Sequence, residues 1–392
     1  MKKTFIILIC LVVLIGIGVG YFLMPSPSPD LLKREYIQYS AFQYEDGGRW
    51  GLINLKGESI ADEAFDHRPT AVTEDHFFVM DEDSLYALYT IRPEVQQVSQ
   101  QRFRQVGFFS DSLCPVILSD GIIGYIGYDG NTVFKLEKLV GAKVRSAGTF
   151  TDGRAMVITD EGVGFIDPQG NLVNHALYFG ASGYSEGKAT VIDMAQESIH
   201  PADRVEAVID VDGNILFYLP RFTHPIDKFR NGWMVACVRT QPGFFFLYDA
   251  EGNESVLNCD SFNPIGGEMV SYANRFQRDD DTSFYYKWGL MKTNGDLVTE
   301  PIYRHITDNG VLFVAVDQDG KNWLLNKKGK KISTLDASSV IVHREAFEGY
   351  KNSLMLIDDQ GYAQFADAKG HLLSPVRIRH YEMKLYDRVE TE

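Results

Sequence analysis

The chain has 392 residues, of which 45% are hydrophobic, 12% aromatic and 23% charged, a composition that buries a core and excludes a disordered polymer. Its formal net charge is −15, and beyond the pairs Lys2-Lys3 and Lys33-Arg34 its basic runs are Lys327-Lys328 and Lys330-Lys331. That balance argues against nucleic acid and against an anionic lipid surface as partners.

Residues 1–4, with Lys2 and Lys3, precede an uncharged stretch from Phe5 to Met24, long enough as a helix to cross a bilayer core of about 30 Å. The end of that stretch, Gly20-Tyr21-Phe22-Leu23-Met24-Pro25, offers no small-x-small cleavage site. An uncleaved transmembrane signal anchor over 5–24 is therefore expected, with the lysines in the cytoplasm and the rest outside it. Cys10 lacks the small residues that a lipidation site places before its cysteine. Residues 25–35, opening Pro25-Ser26-Pro27-Ser28-Pro29, read as an extended spacer.

From residue 36 to 373 a phrase recurs: an apolar run, an Asp/Asn-containing turn closed by glycine, then another short apolar run. Instances are Trp50-Gly51-Leu52-Ile53-Asn54-Leu55-Lys56-Gly57, Gly164-Phe165-Ile166-Asp167-Pro168-Gln169-Gly170 and Trp288-Gly289-Leu290-Met291-Lys292-Thr293-Asn294-Gly295. The closing glycines Gly57, Gly130, Gly170, Gly213, Gly252, Gly295, Gly329 and Gly370 are spaced by 73, 40, 43, 39, 43, 34 and 41 residues. The first gap holds a degenerate unit around Ser84-Leu85-Tyr86-Ala87-Leu88-Tyr89, which makes nine units of roughly 39 residues.

A second phrase precedes the first at a regular offset: Phe150-Thr151-Asp152-Gly153-Arg154-Ala155, Tyr184-Ser185-Glu186-Gly187-Lys188-Ala189 and Phe229-Arg230-Asn231-Gly232-Trp233. Two Gly/Asn/Asp turns per unit flanking short Val/Ile/Phe/Tyr runs specify an antiparallel meander. A helical repeat would suffer about 1 kcal/mol for each interior glycine. In one unit, Ala155 to Thr159 and Val163 to Asp167 are predicted strands, joined by Asp160-Glu161-Gly162. The expected fold is all-β and propeller-like, the alternative an open twisted array, since nine units exceed the usual four to eight blades. Residues 374–392 read as a further strand, pairing with the first unit, or a tail.

These phrases resemble those of the bacterial WG-repeat family, over roughly residues 40–373. The Trp-Gly pair itself stands at Trp50-Gly51 and Trp288-Gly289; elsewhere its place is read as Gly124-Tyr125, Gly164-Phe165, Phe245-Phe246 or Trp323-Leu324. The resemblance implies a β-rich scaffold, often on bacterial surfaces, and no shared enzymatic activity.

No residue is singled out as catalytic, cofactor-binding or metal-ligating. Asp210-Val211-Asp212-Gly213-Asn214, Asp249-Ala250-Glu251-Gly252-Asn253 and Asp317-Gln318-Asp319-Gly320-Lys321 look like half of a calcium loop but lack its remaining ligands, so they are read as turns. Asp279-Asp280-Asp281 reads as a solvated loop. No Gly-x-Ser-x-Gly, His-x-x-x-His or His-Glu-x-x-His occurs. Cys237 and Cys259 are the most plausible disulfide pair in an oxidising compartment. Trp50, Tyr125, Phe165, Phe246, Trp288 and Trp323 are expected to pack between units, and the acid-glycine turns of the second phrase to present variable loops. The expected function is a membrane-anchored extracytoplasmic scaffold that binds a protein or glycan at the cell envelope. The alternative is a carboxylate-dependent hydrolase or lyase on the same fold.

Overall fold

A computed structural model describes residues 39–391 apart from 44–46, 55, 174–176, 198–199, 201–202, 239–244, 267, 279–283, 343–352 and 380–387. The expected span at 5–24 and the spacer at 25–35 lie outside the described residues. Among the described residues no helix is long and apolar enough to cross a membrane.

The described chain is all-β, with one short 3-10 helix at Met194–Gln196 and every strand pairing antiparallel. Its strands fall into nine consecutive meanders, units 1 to 9. Unit 1 is Tyr39–Phe42, Trp50–Asn54 and Ser59–Phe65; the degenerate unit 2 is His76–Met80, Tyr86–Thr90 and Gln96–Phe103. Unit 3 spans Gln105–Val106 to Thr132–Lys135, unit 4 Ala142–Gly148 to Val163–Ile166, and unit 5 Tyr178–Ala181 to Ile215–Tyr218. Unit 6 spans Thr223–Pro225 to Glu254–Val256, unit 7 Ser261–Gly266 to Phe284–Lys292, unit 8 His305–Asp308 to Lys331–Leu335, and unit 9 Ser339–Ile341 to Ile378–Arg379. The last unit thus reaches Arg379, beyond the repeat boundary expected at 373. The predicted strands at 155 and 163 are found as Ala155–Thr159 and Val163–Ile166.

Each junction between neighbouring units is filled by its own apolar cluster. Leu52 and Phe65 of unit 1 meet Phe77 and Val79 of unit 2; Tyr125 of unit 3 meets Val144, Phe150 and Val157 of unit 4; Phe165 of unit 4 meets Tyr184, Val191 and Ile209 of unit 5. The series continues through unit 9, where Leu354 and Leu356 pack on Val314 and Leu324 of unit 8. A ninth cluster joins Phe42 and Ile53 of unit 1 to Met355, Ala363, Phe365 and Ile378 of unit 9. The array is therefore closed, and the open alternative is set aside. The seam is tight: a Cβ on Gly57 of unit 1 would stand 1.9 Å from Ser374 Oγ. Closure removes the two bare ends that an open stack would leave exposed.

Both turn signals do their predicted work. All eight closing glycines have φ between 74° and 91°, and each donates its N–H to the carbonyl three residues back, as Gly170 does to Asp167 at 2.9 Å. The second phrase forms two-residue turns in which both central residues have positive φ, for example Asp152 at 56° and Gly153 at 72°.

The acids of those turns do not simply face solvent as loop display would require. Glu74 accepts the N–H of Ser112 at 3.0 Å, Asp111 that of Gly153 at 3.0 Å, and Asp152 that of Gly187 at 2.9 Å. Glu186 accepts Asn231 and Gly232 at 2.5 and 2.8 Å. Each carboxylate thus engages the same turn of the next unit, linking units 2 to 6 along one face. The recurrence of acid and glycine in this phrase is a structural staple.

The Trp-Gly position also has a packing reason. Counted back from the turn, Gly51, Gly124, Gly164, Phe246, Gly289 and Trp323 are equivalent, and their cross-strand partners on the preceding strand are Phe42, Val116, Val157, Ala236, Tyr272 and Ala315. In these six units, and at Ala207 opposite Val191 in unit 5, bulk on one strand is matched by its absence on the other; unit 9, with Gln364 opposite Leu356, departs from the rule. A Cβ on Gly51 would lie 2.6 Å from Phe42 Cε1, and one on Gly289 2.7 Å from Tyr272 Cε1. The pairs aligned from sequence as Gly124-Tyr125, Gly164-Phe165 and Trp323-Leu324 are out of register by one residue: the equivalents of Trp50 are Ile123, Val163 and Asn322.

Candidate functional site

Because strands alternate in direction, the first-to-second and third-to-fourth turns share one face of the ring, and the second-to-third turns share the other. The first face is the stapled one. On the opposite face most units make short turns, such as Asp120-Gly121 in unit 3 and Asp160-Glu161-Gly162 in unit 4. Units 5, 6 and 7 depart from this, with connections at 194–206, at 239–244, which lies outside the described residues, and in an extended hairpin.

In unit 5 the connection is pinned by its own polar atoms. Asp193 caps the 3-10 turn through Ala195 N at 2.7 Å, and the Gln196 amide clamps both backbone groups of Val205, at 2.7 and 2.8 Å. Arg204 donates to the Gln196 and Glu197 carbonyls at 3.2 and 2.9 Å and lies 4.0 Å over the ring of Phe179. Beside it Glu206, 3% exposed, meets Nδ1 of His224 from unit 6 at 2.5 Å. Arg221 of unit 6 reaches Asp203 at 3.0 Å. The rim between units 5 and 6 is thus a network of charged groups already organised by partners.

Unit 7 carries the largest departure. Met269–Gln277 and Phe284–Lys292 pair through nine consecutive rungs, while second strands elsewhere run four to six residues. Ala273 opposite Trp288 is the last rung in the body; the four beyond it overhang by about 13 Å at roughly 3.3 Å per residue. Alternation sorts the overhang into two faces. On one, Arg275 lies 4.7 Å over Phe284, with Tyr286 beside them; on the other, Lys287 lies 4.7 Å over Phe276, whose ring is 5.8 Å from Tyr285. Phe284 and Tyr286 remain 52% and 46% exposed. Aromatic rings held flat by cations and open to water form a candidate binding surface, since their stacking faces would cost little further ordering on contact with a partner. Asp279-Asp280-Asp281, expected as a solvated loop, lies outside the described residues.

The other residues singled out in the sequence fall elsewhere. Tyr125 and Phe165 are fully buried between units, and Trp50, Phe246, Trp288 and Trp323 are half-buried against the junction clusters. The calcium-like stretches are Asx turns. Asp210 accepts Asp212 N and Asn214 N at 2.9 and 2.8 Å, Asp249 accepts Glu251 N and Asn253 N at 3.0 and 2.8 Å, and Asp317 accepts Asp319 N and Lys321 N at 3.0 and 2.9 Å. Burial opposes ionisation of Asp210 and Asp249, but these N–H donors outweigh it and hold both below the usual aspartate range. The Trp323 indole N–H does the same for Asp317. Among the described residues no three His, Cys, Asp or Glu side chains are grouped to hold a metal ion.

Cys114, Cys237 and Cys259 are all thiols, so the 237–259 disulfide is not formed. The reason is placement: Cys237 sits mid-strand between His224 and Phe245, whereas Cys259 packs into the junction of units 6 and 7. Burial and the neighbouring Asp260 push the Cys259 thiol up to about 11.

Antiparallel meanders packed face to face around an axis and closed on themselves define a β-propeller, and this chain is one, of nine units among the described residues. No family model and no curated sequence matches it. Among solved structures, a eukaryotic initiation factor is similar over 91% of this chain and 98% of its own, with a TM-score of 0.57 and 11% identity. BamB from Moraxella catarrhalis matches over 78% of this chain and 92% of its own, with a TM-score of 0.39 and 15% identity. Apo AztD from Citrobacter koseri matches over 90% and 97%, with a TM-score of 0.40 and 11% identity. At such identities the likeness is one of fold alone.

Proposed function

We propose that this protein is a membrane-anchored, extracytoplasmic scaffold of the WG-repeat kind, which binds a protein or glycan at the cell envelope through the rim of units 5 to 7. The observation that carries the reading is the overhanging hairpin of unit 7, with Phe284 and Tyr286 exposed and cations laid on its rings. A closed ring needs no such projection for its own stability, and exposed Phe and Tyr are retained where a partner covers them. Residues 5–24 supply the anchor and residues 25–35 the distance from the lipid.

The carboxylates favour a scaffold over the hydrolase or lyase alternative. Among the described residues every Asp with a displaced pKa is displaced downward, including Asp81, Asp129, Asp167 and Asp358. A general acid needs the opposite displacement.

The test is in-cell cross-linking on intact envelopes, comparing the wild-type chain with one in which residues 275–286 are replaced by Asn-Gly. The reading requires a discrete adduct, protease-accessible from outside, that the shortened hairpin loses while its melting profile is unchanged. Equal adducts from both chains, or none from either, refute the assignment of the rim.

A further inference from the structure

The first strand of unit 4, Ala142–Gly148, carries a segment from far along the chain. Its outer edge, the one opposite Ala155–Thr159, pairs antiparallel with Arg388–Glu390, in the register Ser146 to Glu390, Ala147 to Val389 and Gly148 to Arg388. Residues 374–392 therefore contain two strands: Ile378–Arg379, which completes unit 9 and packs on the first unit without pairing with it, and Arg388–Glu390, which joins unit 4. Nine residue steps separate Arg388 from Arg379 of unit 9, a reach of at most about 30 Å. The segment thus leaves one side of the ring and docks at the first strand of a unit several positions away.

The docking site has the parts of a strand-acceptor groove. The backbone of Ser146 to Gly148 supplies the ladder, and Arg145 extends it by accepting Thr391 N at 2.8 Å. The Gln105 side chain of unit 3 accepts Glu390 N at 3.3 Å. Val389 is 0% exposed and fills a socket in the cluster formed by Leu113, Ile117, Ala147 and Val157. Arg388 and Glu390 pair with each other at 2.7 Å, on the side away from that socket. An unpaired strand edge beside an apolar socket accepts any extended segment with a fitting residue at alternate positions. Two of the other first strands carry a proline, Pro225 in unit 6 and Pro264 in unit 7, which weakens a strand edge as an acceptor; Ala142–Gly148 contains none.

We propose that this edge of unit 4 is a second binding site, a strand acceptor for an extended segment of a partner protein in which valine or isoleucine stands between two polar residues. The chain's own residues 388–391 occupy it as a built-in competitor. Three ladder rungs and one socket make a short, exchangeable ligand, and covalent attachment gives the segment a high effective concentration. A partner segment therefore binds when the internal one is displaced or removed.

The probe is a fluorescein-labelled peptide spanning residues 385–391, read by anisotropy against the domain from residue 36 onward. The wild-type domain should bind it at least ten-fold more weakly than the same domain carrying Val389→Asp, whose own segment no longer fits the socket. A peptide carrying the same substitution should bind neither. Equal binding by wild type and variant, or no binding by a variant that melts like wild type, overturns the proposal. Should Val389→Asp fail to fold, a protease site placed between residues 380 and 387 is cut after folding. Exchange of the severed segment for labelled peptide supports the acceptor, and retention without exchange overturns it. A stable wild-type dimer that dissociates on deletion of 386–392 also overturns it, by making a second copy the occupant.

Discussion

Gly289→Ala puts the packing account of the Trp-Gly position to a quantitative test. The new Cβ would lie 2.7 Å from Tyr272 Cε1 and 2.7 Å from the carbonyl oxygen of Thr299, both inside any real contact distance. Overpacking of this kind costs about 1–3 kcal/mol, and replacing a strand glycine by alanine returns about 0.5–1 kcal/mol. The net expectation is a loss of about 1–2 kcal/mol. Part of that strain belongs to the ring of Tyr272 and part to the Thr299 carbonyl. Tyr272→Val removes the ring's share, along with the 3.0 Å hydrogen bond from its hydroxyl to the Thr299 carbonyl, which that background lacks with and without Gly289→Ala, and copies unit 2, where Val79 faces Ala87. Measured by denaturant unfolding, Gly289→Ala should therefore cost about 1 kcal/mol less in the Tyr272→Val background, a coupling expected only for groups in contact. An equal cost in both backgrounds, or none in the wild type, refutes volume matching as the reason for the glycine.

Glu186→Ala removes two backbone N–H partners of unit 6 and should lower stability by about 1 kcal/mol, since both donors regain water; Glu186→Asp, the acid that reaches one such N–H from the same turn position in units 3 and 4, should cost less in the same unfolding assay. Stability should fall as pH drops below the ordinary aspartate value of 3.8. Asp167, Asp210 and Asp249 are depressed in the folded state, so their contribution is complete above that value and disappears as pH falls through their folded pKa; acid titration of far-ultraviolet circular dichroism checks the window. Cys259, pushed up to about 11, and the buried Cys114 should alkylate slowly at roughly neutral pH and promptly in denaturant, with no intrachain disulfide on non-reducing gels.

The local architecture was legible because it is written in backbone constraints. Glycine at positive φ has few substitutes, so Gly57 to Gly370 mark eight of the nine meanders even where Trp-Gly has drifted. The aromatic register was misread because Tyr125 and Trp323 were aligned by ring type; only distance from the turn shows that Trp323 takes the place of Gly289 and is compensated by Ala315. The staples were hidden for a related reason. Asp152 beside Gly153 looks like any exposed hairpin turn, and its partner, Gly187, lies in another unit. Closure of unit 9 on unit 1 and the docking of Val389 on unit 4 depend on shape summed around the whole ring, which no local pattern encodes. The hairpin of unit 7 left a faint trace in the alternation of Tyr272-Ala273-Asn274-Arg275-Phe276 and Phe284-Tyr285-Tyr286-Lys287-Trp288, overshadowed by the acidic run between them.

Closure of the nine-unit ring is the claim on which the two faces, the projecting rim and the acceptor edge all depend. It is tested most directly by spin labels at Lys56 in unit 1 and Val376 in unit 9, read by double electron–electron resonance. Val376 Cγ2 lies 3.1 Å from where a Cβ on Gly57 would stand, so the labels flank the seam. A closed ring gives a single narrow distribution at the short limit of the method, unchanged by dilution. A long or broad distribution would mean that units 1 and 9 do not meet, and the ring account would be wrong.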